Sequence, residues 1–151
     1  ALECAFHFRS RAQFLREAFR VLRPGGRLAI ADIIPRPPSG GAWRRVQQRL
    51  SWALVASKFA IPPENTYPIP TYHAELKLSG YETIQIESIR DHVYAPLHAW
   101  LRAHRAATRR LHPVARLAAR LALTRNPASL YAGLDYVLAT ATKPLRLVSR
   151  S

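Results

Sequence analysis

The stretch "SRAQFLREAFRVLRPGGRLAIADII", Ser10 to Ile34, constrains the fold of this chain more than any other. Ser10 and Gln13 have the spacing of a capping box, in which hydroxyl and amide each satisfy an orphan backbone N–H. Phe14, Leu15, Ala18, Phe19 and Leu22 then share one helical face, with Arg16, Glu17, Arg20 and Arg23 largely off it. Pro24 ends that helix, and Gly25-Gly26 permit a tight reversal. Leu28 to Ile34 is apolar on both faces apart from Asp32, the pattern of a parallel strand covered by helices on both sides. Such a strand needs neighbours, and the residues before Ser10 are too few to supply them.

Downstream, "PRPPSGGA" (35–42) is a loop, and Trp43 to Phe59 reads as a helix. Its expected inner face is Val46, Leu50 and Leu54, with Ala53 or Ser57. "IPPENTYPIP" is an extended, proline-stiffened loop. Thr71 can cap a short helix that stops at Gly80, and Ile84 and Ile86 give the alternation of a strand. Residues 95–124 read as two helices broken at Pro113, and Leu134 to Pro144 as a final strand. The expected order is α-β-α-α-β-α-α-β, an α/β chain with one dominant sheet.

With 151 residues and 48% hydrophobic content, the chain can bury one real core. Cys4 is its single cysteine, so no internal disulfide can form. No run of eighteen apolar residues occurs, and no charged n-region precedes the short apolar start. A soluble, cytoplasmic protein is the expectation. The formal charge is +14; of 23 basic residues only Lys58, Lys77 and Lys143 are lysines, leaving twenty arginines. Such a bias fits GC-rich coding as well as it fits selection for anion binding.

At this point the residues resemble a known family. Glu3, Phe6-His7-Phe8 and Arg20 to Gly26 resemble the end of the fourth strand, the following loop and the helix-turn of class I S-adenosylmethionine-dependent methyltransferases. The similarity is greatest to their small-molecule group. "LSGYETIQIESI" resembles the step before the sixth strand, and "DYVLATATKP" the antiparallel seventh strand. The resemblance implies a partial Rossmann-like sheet: the end of the fourth strand, the fifth, the sixth and the antiparallel seventh, with helical inserts. It implies that residues 1–151 form the C-terminal part of one methyltransferase domain, with 36–70 and 92–130 as substrate-cap inserts. The glycine-rich turn that approaches S-adenosylmethionine does not occur here, since the Gly-Gly pairs are 25-26 and 40-41. The main cofactor site is therefore expected in a missing N-terminal half, upstream of Ala1.

Residues just past the fourth strand would sit at the carboxyl edge of the sheet, where open α/β folds bind ligands. Glu3, Cys4 and Ala5 are candidates for the edge of the donor site. His7 is the candidate base, because imidazole titrates near neutral pH; packing between Phe6 and Phe8 is the equally weighted alternative. Phe6, Trp43, Trp52, Tyr72 and Trp100 are candidates for an aromatic-lined pocket around a small, apolar acceptor, each weighed against a role in the inserts' own cores. Asp32 reads as a structural hydrogen-bond partner. No metal site is expected: His73, His92, His98, His104 and His112 lack the spacing of zinc ligands.

The competing reading is a non-catalytic basic module binding acidic membrane or nucleic acid through residues 95–125. Arg102, Arg105, Arg109, Arg116 and Arg120 recur there at helical spacings, opposite Leu97, Leu101, Leu111 and Leu121. A solvated face is the blander account, and no nucleic-acid reading module is evident.

Overall fold

The computed structural model describes residues 1–109 and 111–145, apart from the Arg105 side chain, so the expectation placed on that arginine falls outside the described residues. Helix α1 (Arg11–Val21) starts as its sequence dictates, with the Ser10 hydroxyl accepting from the Gln13 N–H at 3.2 Å. Its other end is held by Lys143, whose buried ammonium donates to the carbonyls of Phe19 and Leu22, each at 2.7 Å. A cation there complements the partial negative charge of the helix terminus. Gly25 then turns the chain at φ 74°, a conformation that favours glycine.

Strand β1 (Arg27–Pro35) follows, then α2 (Ala42–Lys58), α3 (Ile69–Leu78), β2 (Glu82–Ser88), α4 (Arg90–Ala103), α5 (Pro113–Ala122), the single turn α6 (Pro127–Leu130) and β3 (Leu134–Thr142). The sheet order is β1-β3-β2, with β3 antiparallel to both neighbours. On the other side of β1 the chain's first residues run parallel to it. Leu2 bridges Ala31, the Glu3 N–H donates to Ala31 O at 2.9 Å, and the Ala31 N–H donates to Ala1 O at 3.0 Å. A short parallel pairing thus lies on one flank of β1 and the antiparallel β3 on the other.

One face of β1, with Leu28, Ile30 and Ile34, packs with Val137, Ala139 and Ala141 of β3 against Leu15 of α1 and Tyr72 and Leu76 of α3. The other face is only half covered. Tyr94 of α4 packs there with Leu134 and Tyr136, together with Ala31, Ile33 and Trp52, while Ala29 is left exposed. The strand expected to be covered by helices on both sides is thus covered fully on one.

Three local expectations are corrected. In α2 the buried side chain is Gln48, at 1% exposure, with Trp52 and Val55 packing beside it, whereas Val46, Leu50 and Leu54 are exposed. The helix faces the sheet with its more polar side because Gln48 finds partners: its Oε1 accepts from the Ser39 N–H at 2.8 Å. Helix α3 starts at Ile69 after Pro68, not at Thr71, and Pro70 suits a first turn that needs no N–H donor there. The arginines of residues 95–125 do not line one helix pair. Helix α4 starts at Arg90 and runs through Pro96 to Ala103, a 3-10 turn occupies Arg105–Thr108, and Pro113 begins α5. The change of axis between Ala103 and Pro113 breaks the helical spacing that placed Arg102 and Arg109 on one face with Arg116 and Arg120.

Candidate active-site edge

After Glu3 the chain leaves the sheet opposite the middle of β1, heading toward that strand's carboxyl end, and makes a 3-10 turn, Ala5–His7. Glu3 itself has φ 50°, which a non-glycine residue seldom adopts. Its carboxylate is anchored there, because Oε1 accepts from the Tyr136 hydroxyl at 2.7 Å. Burial, and then the bond to Glu3, push the Tyr136 phenol pKa upward, so it remains a donor. Cys4 is half-buried with a free thiol, and Ala5 and Phe6 are buried. The His7 ring is exposed to solvent, 4.3 Å from the Phe6 ring and 6.0 Å from that of Phe59, at the end of α2.

A fully buried polar cluster fixes this turn from beneath. Arg11 Nε lies 2.8 Å from Asp32 Oδ2, an ion pair whose N–H does not point at the carboxylate. The Tyr72 hydroxyl donates to the same Oδ2 at 3.3 Å, and the Ile33 N–H to Oδ1 at 3.0 Å. Burial raises the Asp32 carboxyl pKa, against the pull of Arg11 and of hydrogen bonds from Ile33, Tyr72 and the Phe6 backbone. Asn65 completes the cluster. Its amide nitrogen donates to Phe6 O at 3.2 Å and Phe8 O at 2.6 Å, its Oδ1 accepts from the Arg11 N–H, and its own carbonyl accepts from Arg11 Nη1. The loop between α2 and α3 is thereby tied to the turn that carries His7. Asp32 is a structural partner, as expected.

The structure brings Glu3, Cys4, Ala5, Phe6 and His7 together at one edge. Trp52 approaches it indirectly, packed in the cluster of Tyr136, whose hydroxyl reaches Glu3. Tyr72 is in the core with 0% exposure and Phe6 is buried, so neither has a free face for a ligand among the described residues. Trp100 stacks on His104 at 4.6 Å, away from this edge. Trp43 lies on the outer face of α2, where it lines an apolar groove of about 740 Å3 with Leu50 and Leu54, opposite Leu121 and Leu130. Arg11, Asn65 and Tyr136 were not anticipated. Tyr136 could have been read from its place in a strand of otherwise small and aliphatic residues, but nothing local marks Asn65 within "PPEN". Among the described residues no group of three His, Cys, Asp or Glu could hold a metal ion, and no helix is long and apolar enough to cross a membrane.

The methyltransferase domain family matches residues 1–30. The chain is 36% identical to erythromycin 3''-O-methyltransferase of Saccharopolyspora erythraea over 95% of its own length and 49% of that protein's. It is 61% identical to the methyltransferase GfsG of Streptomyces halstedii over 36 residues, 24% of this chain and 13% of that protein. Among solved structures, phosphoethanolamine N-methyltransferase 2 of Haemonchus contortus, held with phosphomonomethylethanolamine and S-adenosylhomocysteine, superposes with a TM-score of 0.66. That likeness covers 95% of this chain and 32% of the other, at 12% identity, and speaks to fold alone. The chain thus spans about half the length of the first of these relatives, and less of the others. The strand order, the parallel residues beside β1 and the sequence matches agree: in fold and sequence the chain is similar to the class I S-adenosylmethionine-dependent methyltransferases.

Proposed function

We infer that this chain is the C-terminal part of an enzyme that transfers the methyl group of S-adenosylmethionine to a small, apolar acceptor. The observation that carries the reading is the placement of Glu3 to His7 at the carboxyl edge, immediately past residues paired parallel to β1. Open α/β sheets bind ligands at that edge. In this reading residues 1–151 are one part of a single domain, and a segment upstream of Ala1 supplies the glycine-rich turn of the donor site. Glu3 and Cys4 border that site, and Ala5, expected beside them, is fully buried in the core. Residues 36–70 and 92–130 cover the acceptor, with Trp52, on the inner face of α2, on its side, and Trp43 turned away on the outer face. A cytoplasmic location accords with the lone, unpaired Cys4.

S-adenosylmethionine brings an already activated methyl group as a sulfonium. The acceptor atom forms the new bond to carbon as the bond to sulfur breaks, leaving a neutral thioether, and the acceptor's proton must go to a base or to water. His7 is the candidate base: its ring is exposed beside Phe6 and Phe59, with a face free to meet an acceptor. What the rest of the chain contributes is alignment. The Arg11–Asp32–Asn65 cluster fixes the turn that carries His7, and Phe59, just past the end of α2, stands edge-on to its ring.

The test is transfer of radiolabelled methyl from S-adenosylmethionine by the polypeptide extended upstream of Ala1, across pH, with and without His7→Ala. The reading expects transfer, and expects His7→Ala to lose at least about tenfold. Transfer unchanged at every pH would remove His7 from the mechanism.

A further inference from the structure

The groove between α2 and the α5–α6 segment has features that specify an occupant. Trp43, Leu50 and Leu54 are 79%, 59% and 72% exposed, and Leu121 across the groove is 60% exposed. So much contiguous apolar surface on a small chain marks a binding site. The volume of about 740 Å3 lies within the range of small-molecule sites. Its walls face one another across a cleft, which suits a compact molecule better than a flat lipid surface.

Charge narrows the choice. Residues 33–63 contain no Asp or Glu, and neither do residues 92–134; these two stretches supply both walls. Arg125 lines the groove. The ion pairs among the described residues are Arg11–Asp32, Arg20–Glu17 and Arg90–Asp91, so no carboxylate there neutralises Arg125. Arg44, Arg45 and Arg49 of α2 are exposed nearby in sequence. The polar lining residues Gln47, Asn126 and Ser129 are uncharged. A cation entering the groove meets arginines and no counter-charge. An anion meets a guanidinium whose planar fork matches a carboxylate.

We propose that this groove binds an apolar small molecule bearing one anionic group, with the apolar body between Trp43, Leu50 and Leu121 and the anion at Arg125. The groove covers α2 from Trp43 to Leu54, about 16 Å along the axis.

Two fluorescent probes with the same aromatic body separate the contributions: 1-anilinonaphthalene-8-sulfonate and the uncharged N-phenyl-1-naphthylamine. Both should bind, the sulfonate at least about fivefold tighter at low salt, with the advantage fading as salt screens it. Arg125→Gln should abolish that advantage and leave the neutral probe unchanged. Leu50→Glu, an exposed change checked for folding by circular dichroism, should weaken the sulfonate by about tenfold or more relative to the neutral probe. Dodecanoate should displace the neutral probe, and dodecyltrimethylammonium should not. Equal affinity for both probes, a sulfonate preference that survives Arg125→Gln, or displacement by the cation would overturn the proposal. So would binding to phosphatidylglycerol vesicles that Leu50→Glu abolishes, with no probe bound in solution. Probe binding needs no S-adenosylmethionine, so its failure leaves the methyl-transfer reading standing, and an inactive enzyme leaves the groove standing.

Discussion

The Tyr136 hydroxyl donates to the Glu3 carboxylate at 2.7 Å, joining residues 133 positions apart in the chain. It closes the edge of the sheet where the first residues leave it, and it holds Glu3 in a left-handed conformation that its side chain alone would not favour. Tyr136→Phe removes this bond and little else. Because Glu3 is exposed, water takes over its oxygen, and the expected loss is only about 1 kcal/mol, read from the midpoint of urea unfolding. A loss above about 3 kcal/mol would mean the hydroxyl does more than this.

The buried pair beneath the same edge should behave differently. Asp32→Ala leaves the Arg11 guanidinium charged and fully buried, which costs about 3–5 kcal/mol. Asn65→Ala leaves the Phe6 and Phe8 carbonyls short of a donor and should cost about 1–3 kcal/mol. Denaturant titration of both variants checks the order, Asp32→Ala being the more damaging.

Lys143→Met keeps the apolar stem and removes the ammonium from the carbonyl end of α1. Two partly buried acceptors then lose a charged donor, and a loss of about 2 kcal/mol is expected. Hydrogen exchange should localise the weakening to the last turn of α1.

Every one of the six tyrosines has its phenol pKa pushed upward by burial, Tyr81 to about 12. In the unfolded chain the phenols titrate near about pH 10. The folded state therefore holds these protons more tightly, and the stability they contribute is complete below about pH 10 and is lost as pH rises through the folded values. Absorbance at the tyrosinate band should show no phenol titrating at its ordinary pH, with ionisation arriving alongside unfolding. An ordinary titration of one or more phenols in the folded protein would contradict the burial described.

A methyl group at Gly133 would lie 1.9 Å from the Gln48 carbonyl oxygen, backbone against backbone. Gly133→Ala must push α2 off the start of β3. The expected result is a loss of about 1–3 kcal/mol together with a changed Trp52 emission spectrum, since that ring packs beside the displaced contact.

How much of this could be read from the residues follows from the range of each interaction. The Ser10 cap, the Gly25 turn and the three strands are local, and their chemistry is written in adjacent residues. The orientation of α2 is not local. Its apolar stripe of Val46, Leu50 and Leu54 gives the correct periodicity, but Gln48 faces inward because Ser39 and the Gly133 backbone lie there, and Gly133 comes eighty-five positions after Gln48. The proline at 113 was legible as a discontinuity and not as a helix start, since the same residue serves either purpose. Of the edge, the segment from Glu3 to His7 was legible through its resemblance to a family pattern. Asn65 was not, because its three partners in Phe6, Phe8 and Arg11 lie more than fifty residues away.

The central claim is that this edge borders a donor site completed by a segment upstream of Ala1. Calorimetric titration of S-adenosylhomocysteine into the chain, and into the polypeptide extended in frame upstream, tests it most directly. The account predicts micromolar or tighter binding by the extended polypeptide, weakened by Glu3→Ala, and none measurable by residues 1–151. Equal binding by both, or binding by the extended polypeptide that ignores changes at Glu3 and Cys4, would contradict it.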